Sequence, residues 1–237
     1  MGHASVKKLA GVGVTKVEAF VAMPSDLVRD MLTVTGQRTH AELNGISCVP
    51  FSDMPATRKS IACTRSFGRA VTDWNEMREA VATYAARAGE KMRRFGLSAG
   101  AMQVFLRTNE FNNDPRYNNQ ATFGIEPSAD SRALIANAVQ AASNMWRDGF
   151  RYAKAGVVLL DLYHAEELPA ADMFATRDPE KSKKVMAALD ALNGRFGRET
   201  VRPGGLVAKP AGWSMRRANL SPCYTTQIDD LMVVRSL

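Results

Sequence analysis

The stretch DWNEMREAVATYAARAGEKMRRF, residues 73–95, sets the reading of everything around it. Trp74, Met77, Val81, Tyr84, Ala88, Met92 and Phe95 recur at steps of three and four, the spacing that lines one face of an α-helix. Asp73 stands three residues before Glu76. That is the pattern of a capping box with Asp in place of Ser or Thr, its side-chain oxygen taking up an N–H of the first turn. Upstream, Lys59–Val71 reads as a strand. Downstream, Met102–Thr108 and Asn119–Glu126 read as strands around a polar loop, Asn109–Asn118. Asp130 or Ser131 opens a second helix, with Leu134, Ile135, Ala138, Val139, Ala142, Met145 and Trp146 on one face, and Arg151–Leu162 reads as a last strand. The order β-α-β-β-α-β is that of a ferredoxin-like split unit. An α+β fold is expected, with both helices on one face of a four-stranded antiparallel sheet.

Alternation along the strands sorts their side chains onto two faces. Ile61, Cys63 and Phe67 oppose Ser60, Thr64 and Ser66; Val104 and Leu106 oppose Gln103, Phe105 and Arg107. Ala121, Phe123 and Ile125 oppose Gln120 and Thr122; Ala153, Ala155, Val157 and Leu159 oppose Tyr152 and Lys154. The first set of each pair is apolar and belongs beneath the helices, which puts Phe67 in the core. The second set gathers hydroxyls, amides and cations with few carboxylates. Antiparallel sheets often leave one face to water, and these groups are also the ones that contact phosphate.

Outside this block the pattern is weaker. Residues 5–45 read as short helices. Val6, Leu9 and Ala10 begin one that Gly11-Val-Gly13 interrupts, and Thr15 or Ser25 supplies caps for later ones. Leu27, Met31 and Leu32 share a face, and a further helix over Thr35–Leu43 stops at Asn44-Gly45. Residues 51–58 and 166–179 read as linkers, and Lys181–Leu192 as a short helix.

The 237 residues hold 31 Lys+Arg against 24 Asp+Glu, a net charge of +7 that favours a polyanionic partner, most often nucleic acid. Residues 59–165 carry 14 basic and 10 acidic side chains, the largest excess of the three segments. No apolar run has the length of a membrane span, and Met1–Lys8 lacks the apolar core of a signal peptide. Cys48, Cys63 and Cys223 stand far apart without a CxxC pair, which argues against a disulfide framework or zinc site and suits a reducing cytoplasm. His3, His40 and His164 leave little for His-based metal or triad chemistry.

Four segments carry a resemblance: Lys59-Ser60-Ile61, Thr64-Arg65-Ser66-Phe67-Gly68, Arg151-Tyr152-Ala153-Lys154-Ala155-Gly156 and Leu220-Ser221-Pro222-x-Tyr224-Thr225-Thr226. Their order and spacing resemble the UmuC family, the catalytic subunits of DNA polymerase V among the Y-family error-prone translesion polymerases. The resemblance covers nearly the whole chain. It implies that residues 1–50, with Arg38-Thr-x-x-Glu42-Leu43-Asn44-Gly45, are the end of a helical thumb. Residues 59–165 would be a little finger, which lies along the major groove of template–primer duplex, and residues 180–237 a C-terminal extension. Lys59, Ser60, Thr64, Arg65, Ser66, Arg107, Arg151 and Lys154 are then the expected phosphate contacts. Arg65 has the parity of Cys63 and joins the others only if a bulge turns it. Gly11-Val-Gly13 matches a phosphate-gripping thumb turn only loosely and also reads as a plain helix break.

The family's palm domain holds two magnesium ions with carboxylates, and no segment here matches its motifs. The resemblance therefore implies no catalytic residue, no metal and no cofactor in this chain, and it implies the DNA-gripping part of an SOS translesion polymerase rather than an enzyme by itself. The partners implied are damaged DNA, the UmuD′ dimer, the RecA filament and the sliding clamp, with no membrane. The family's clamp-binding pentapeptide has a leading Gln. Here the corresponding place reads Ala170-Ala171-Asp172-Met173-Phe174, which keeps the apolar pair but not the amide and predicts weak or absent clamp binding. The alternative is a stand-alone interaction protein or truncated-gene product that binds UmuD′ or RecA and competes with the full-length protein.

Overall fold

In the computed structural model, residues 2–50, 58–164, 178–197, 199–204, 212–215, 220–225 and 227–232 are described. They fall into two units, Met1–Thr57 and Arg58–Leu237. Residues 51–57 and 166–177 of the two expected linkers, and with them Ala170, Asp172, Met173 and Phe174, lie outside the described residues, as does residue 165.

The first unit is helical: α1 (His3–Gly11), α2 (Val17–Val21) and α3 (Ser25–Leu43). Leu9, Phe20, Val28 and Leu32 form its core, with Val14, Met23 and Met31 packed against them. Neither Thr15 nor Ser25 caps a helix. Lys16 and Pro24 hold the cap positions without a side-chain bond, and Pro24 enters α3 at φ −61°, the angle its ring imposes. Thr33, at φ 64° and ψ −173°, breaks α3 into two runs, which is why the sequence reads as two helices there. His40 is buried, its Nε2 3.0 Å from the Val21 carbonyl and its ring edge-on to Phe20. In the Gly11–Gly13 turn, the N–H groups of Val12, Gly13 and Val14 all donate to the carbonyls of Leu9 and Ala10. Those donors close the end of α1, so this turn is a helix break.

The second unit runs β1 (Ile61–Val71), α4 (Trp74–Arg93), β2 (Leu97–Thr108), β3 (Asn118–Ser128), α5 (Ser131–Met145), β4 (Tyr152–His164) and α6 (Pro179–Phe196), with a 3₁₀ turn at Ile228–Asp230. The fold is α+β, with the expected β-α-β-β-α-β order. All neighbouring strands are antiparallel, in the order β1-β4-β2-β3. Each β-α-β crossover is thus split by a third strand: β4 lies between β1 and β2, and β2 lies between β3 and β4. Asp73 caps α4 as the box predicts, accepting from the Glu76 N–H at 3.2 Å.

Below the helices, Met77, Val81, Tyr84, Ala88 and Met92 of α4 and Leu134, Ala138 and Ala142 of α5 are closed from water with Val104, Leu106, Val157 and Leu159 of the sheet. Each large side chain of this kind contributes roughly 1.5–3 kcal/mol on burial. The helices meet closely at Gly89, where a Cβ would stand 2.9 Å from Leu134 Cδ1.

Four details depart from the sequence reading. Strand β2 begins at Leu97, five residues before the expected Met102, because Leu97–Ala101 pairs with the end of β4. Leu97, Ala99 and Ala101 are buried in alternation and the pattern then restarts at Met102, beside the β2–β3 register shift between Ala99 and Ala101, while Asp161 of β4 stands at φ 47°. Tyr152, expected on the open face, is fully buried: its hydroxyl donates to the Arg147 carbonyl and accepts from the Arg147 N–H, and its ring stacks on Trp146 at 4.7 Å. The β1–β4 and β2–β4 registers both shift beside it, which turns the ring inward. Phe67, expected fully inside, is only partly buried, and Phe95 lies beyond α4 with Arg58 over its ring at 4.1 Å.

Candidate nucleic-acid interface

Strand register arranges the open face into rows. One row runs Ser66, Lys154, Arg107 and Asn118 from β1 to β3. The next runs Thr64, Gly156, Phe105 and Gln120, and a third Ala62, Val158, Gln103 and Thr122. The Gln103 amide donates to Thr122 Oγ1 at 2.9 Å. The Lys154 ammonium stands 6.0 Å from the Phe105 ring centroid, within the outer reach of a cation–π contact.

Gly156 is the hub of this face. A Cβ there would fall 2.5 Å from both the Phe105 ring and the Thr64 methyl group. The two side chains therefore close over its backbone, and the Phe105 ring becomes the floor under Lys154. Gly156→Val is expected to cost about 1–3 kcal/mol by overpacking and to displace Phe105. Denaturant unfolding checks the first effect, and a shift of the aromatic ring resonances on this face checks the second. A loss below about 0.5 kcal/mol, the usual size of a neutral surface change, would show that the face has slack.

The eight predicted residues do not all meet. Thr64, Ser66, Arg107 and Lys154 share the open face, with Lys59 and Ser60 exposed at the start of β1 and Arg151 exposed at the start of β4. Arg65 stays on the other side. It pairs with Ala155 in the same alternation as Cys63 with Val157, and the β1 irregularity comes only after Ser66. From there its charge acts on the Cys63 thiol, whose pKa burial pushes up while Lys91, Arg87 and Arg65 pull it down. A thiol so buried is a packing group rather than a nucleophile.

The expectation of few carboxylates also needs correcting. Glu110 and Asp114, from the loop between β2 and β3, fold back over the cationic row. Arg107 Nη2 donates to Glu110 Oε2 at 2.5 Å, and Arg151 Nε lies 3.2 Å from Asp114 Oδ2. These exposed pairs are worth little in themselves, about 0–1 kcal/mol, so a phosphate can displace either carboxylate. Lys59 and Lys154 have no ion-pair partner among the described residues.

Sequence reading missed Arg116. With Arg107, Thr108, Glu110, Tyr117 and Asn118 it lines an open cleft of about 120 Å³ at the end of the cationic row. The signal was a lone Arg just before β3. Among the described residues, no three His, Cys, Asp or Glu side chains converge as a metal site, and no helix is long and apolar enough to cross a membrane.

Comparison with known proteins gives these observations a context. The impB/mucB/samB family C-terminal domain matches residues 58–172, and a domain of unknown function, DUF4113, matches residues 183–234. The chain is 36% identical over 99% of its length to Protein UmuC of Salmonella typhimurium and 34% identical over 95% to Protein MucB of Escherichia coli. It is 26% identical over 86% to DNA polymerase IV of Caulobacter vibrioides. It spans about half the length of these relatives: 56%, 53% and 49%. Residues 58–172 thus match the impB/mucB/samB family C-terminal domain, in a chain similar along almost all its length to the C-terminal part of UmuC-type proteins.

Proposed function

We propose that this chain is the DNA-gripping region of a cytoplasmic translesion polymerase of the SOS response, with residues 59–165 as its little finger and residues 1–50 as the end of its thumb. The observation that carries the reading is the row Ser66–Lys154–Arg107–Asn118, flanked by Arg151 and Arg116, on the one sheet face the helices leave open. Hydroxyl, ammonium, guanidinium and amide groups in one plane suit phosphate oxygens, and contacts to phosphate carry no base information. Binding is therefore to duplex backbone, with little sequence preference. Phosphoryl transfer, with its two metal ions, is assigned to the part of the longer relatives that this chain does not match. The names of those relatives, UmuC, MucB and DNA polymerase IV, support the assignment to lesion bypass. UmuD′, the RecA filament and, weakly, the sliding clamp are the proposed protein partners.

The test is a titration of primer–template duplex across salt concentrations. Four to six phosphate contacts give a log K against log salt slope of about −4 to −5. Lys154→Ala is expected to reduce that slope by about 1 with little change in melting temperature. Glu110→Gln with Asp114→Asn frees Arg107 and Arg151, and is expected to tighten binding severalfold at low salt. A flat salt dependence, or no effect of either variant, would sink the reading. With magnesium and all four deoxynucleotides, the chain alone is expected to leave the primer unextended.

A further inference from the structure

From residue 183 on, helix α6 lies in the segment matched to a domain of unknown function, and its two sides differ sharply. Its inner side is held to the sheet unit. Arg93 donates to both Asp190 oxygens at 2.7 Å, Ser182 Oγ donates to Asp130 at 2.6 Å, and Met186 is buried. Beside that docked side, Val185, Leu189, Leu192 and Phe196 follow at steps of four, three and four, which lines them in one stripe along the helix. Val185, Leu192 and Phe196 are 45%, 41% and 60% exposed. Lys181, Lys184 and Arg195 fall on the flank next to the stripe, and the Arg195 guanidinium lies over the Phe196 ring at 5.1 Å. The one carboxylate in the helix beyond its first turn, Asp190, is turned inward onto Arg93.

We infer that this stripe is a docking surface for an acidic amphipathic helix of another protein. The spacing offers apolar anchors at i, i+4, i+7 and i+11, the pattern by which helices pack along one another. Ala188, between Val185 and Leu192, leaves room for close approach. The flanking cations select Asp or Glu at the partner's edges, since opposite potentials steer and fix such an encounter. A second copy of this chain fits badly. A two-fold interface brings the same patch against itself, so cations would meet cations. Duplex DNA would use the cations but would leave Val185 and Leu192 in water.

The probe is a fluorescein-labelled synthetic helix with Leu at heptad spacing and Glu on both flanks, titrated with the whole chain and followed by anisotropy. Saturable binding is expected, weakening as salt rises. Leu192→Ser with Phe196→Ser is expected to weaken it at least tenfold, and Lys184→Glu with Arg195→Glu severalfold. All four positions are exposed, and far-UV circular dichroism checks that each variant stays folded. The Ser pair, which changes no charge, is expected to leave duplex DNA affinity unchanged, which keeps this surface separable from the proposed DNA face. Four outcomes overturn the inference: no binding of the Glu-flanked peptide up to about 0.1 mM, a very weak affinity on any scale; equal binding of a Lys-flanked peptide; displacement of the peptide by duplex DNA; or a concentration-dependent dimer in sedimentation that the Ser variant abolishes.

Discussion

Trp213→Ala is expected to lower the unfolding free energy by about 3–5 kcal/mol, the range for deleting a buried aromatic side chain. Trp213 lies some 140 positions along the chain from β1, yet it belongs to the core of the sheet unit, 8% exposed. Its ring meets Tyr84 edge-on at 5.8 Å and Phe67 at 6.3 Å. Its carbonyl accepts from the Gly68 N–H at 3.2 Å. That contact comes where β1 loses register with β4, between Ser66 and Val71. The indole thus seals the place where strand pairing lapses and adds cover to the partly buried Phe67. Its Nε1 is buried with no hydrogen-bond partner among the described residues. Trp213→Phe removes that unpaired donor and keeps most of the ring, so it is expected to cost far less than Trp213→Ala. Urea unfolding of the three proteins checks this. A loss below about 1 kcal/mol for the alanine variant, the average for any point change, would mean that the segment is only laid against the domain.

Asp130→Asn is expected to cost about 2 kcal/mol at neutral pH and almost nothing near pH 2. Asp130 is buried at the start of α5 and does three jobs. It caps the helix through the Arg132 N–H at 2.7 Å, pairs with the Arg132 guanidinium at 2.7 Å, and accepts from Ser182 of α6 at 2.6 Å. Burial by itself would raise its pKa. The bonds from the Arg132 side chain, Ser182 and the Arg132 backbone outweigh that and hold it near 2, down from the ordinary 3.8. A depressed folded value means that the stabilisation is present above the ordinary carboxylate range and fades as pH falls from about 4 through about 2. At about 1.4 kcal/mol per pH unit, the ceiling is on the order of 2 kcal/mol. Asparagine keeps the cap oxygen but not the charge, so the difference between wild type and variant isolates the ionic part. Unfolding curves collected from pH 7 to pH 2 check it. A difference that does not shrink with acid would place the energy in the cap rather than in the charge.

Both residues bear on how the C-terminal segment is joined to the sheet unit. Asp130, Arg93 and Trp213 tie α6 and residues 212–215 to the helices and to β1. The open face takes no part in these ties. The proposed grip on DNA and the outer stripe of α6 are therefore presented on one scaffold from different sides.

The β-α-β-β-α-β order, the Asp73 cap, the start of α5 at Asp130 or Ser131 and the polarity of three of the four strands were legible in the residues, because each rests on short-range rules. Helical spacing needs only the 3.6-residue period, a cap needs one oxygen near three N–H groups, and alternation needs only the pleat. The rows of the open face were not legible. Which residue stands beside Lys154 is a matter of register, and pairing it with Arg107 on one side and Ser66 on the other requires three strands far apart in sequence. Tyr152 departs from its predicted face for the same reason: register shifts at the start of β4 override the parity that its neighbours predict. Glu110 and Asp114 read as loop residues until the loop folded back onto Arg107 and Arg151. Trp213, in a polar and irregular stretch, carries no period at all, and only burial against Tyr84 makes it core. Local geometry determines which elements form and which way most side chains point. Pairings between distant segments, whose chain-closure entropy must be met by contacts that no short stretch contains, decide which of those side chains meet.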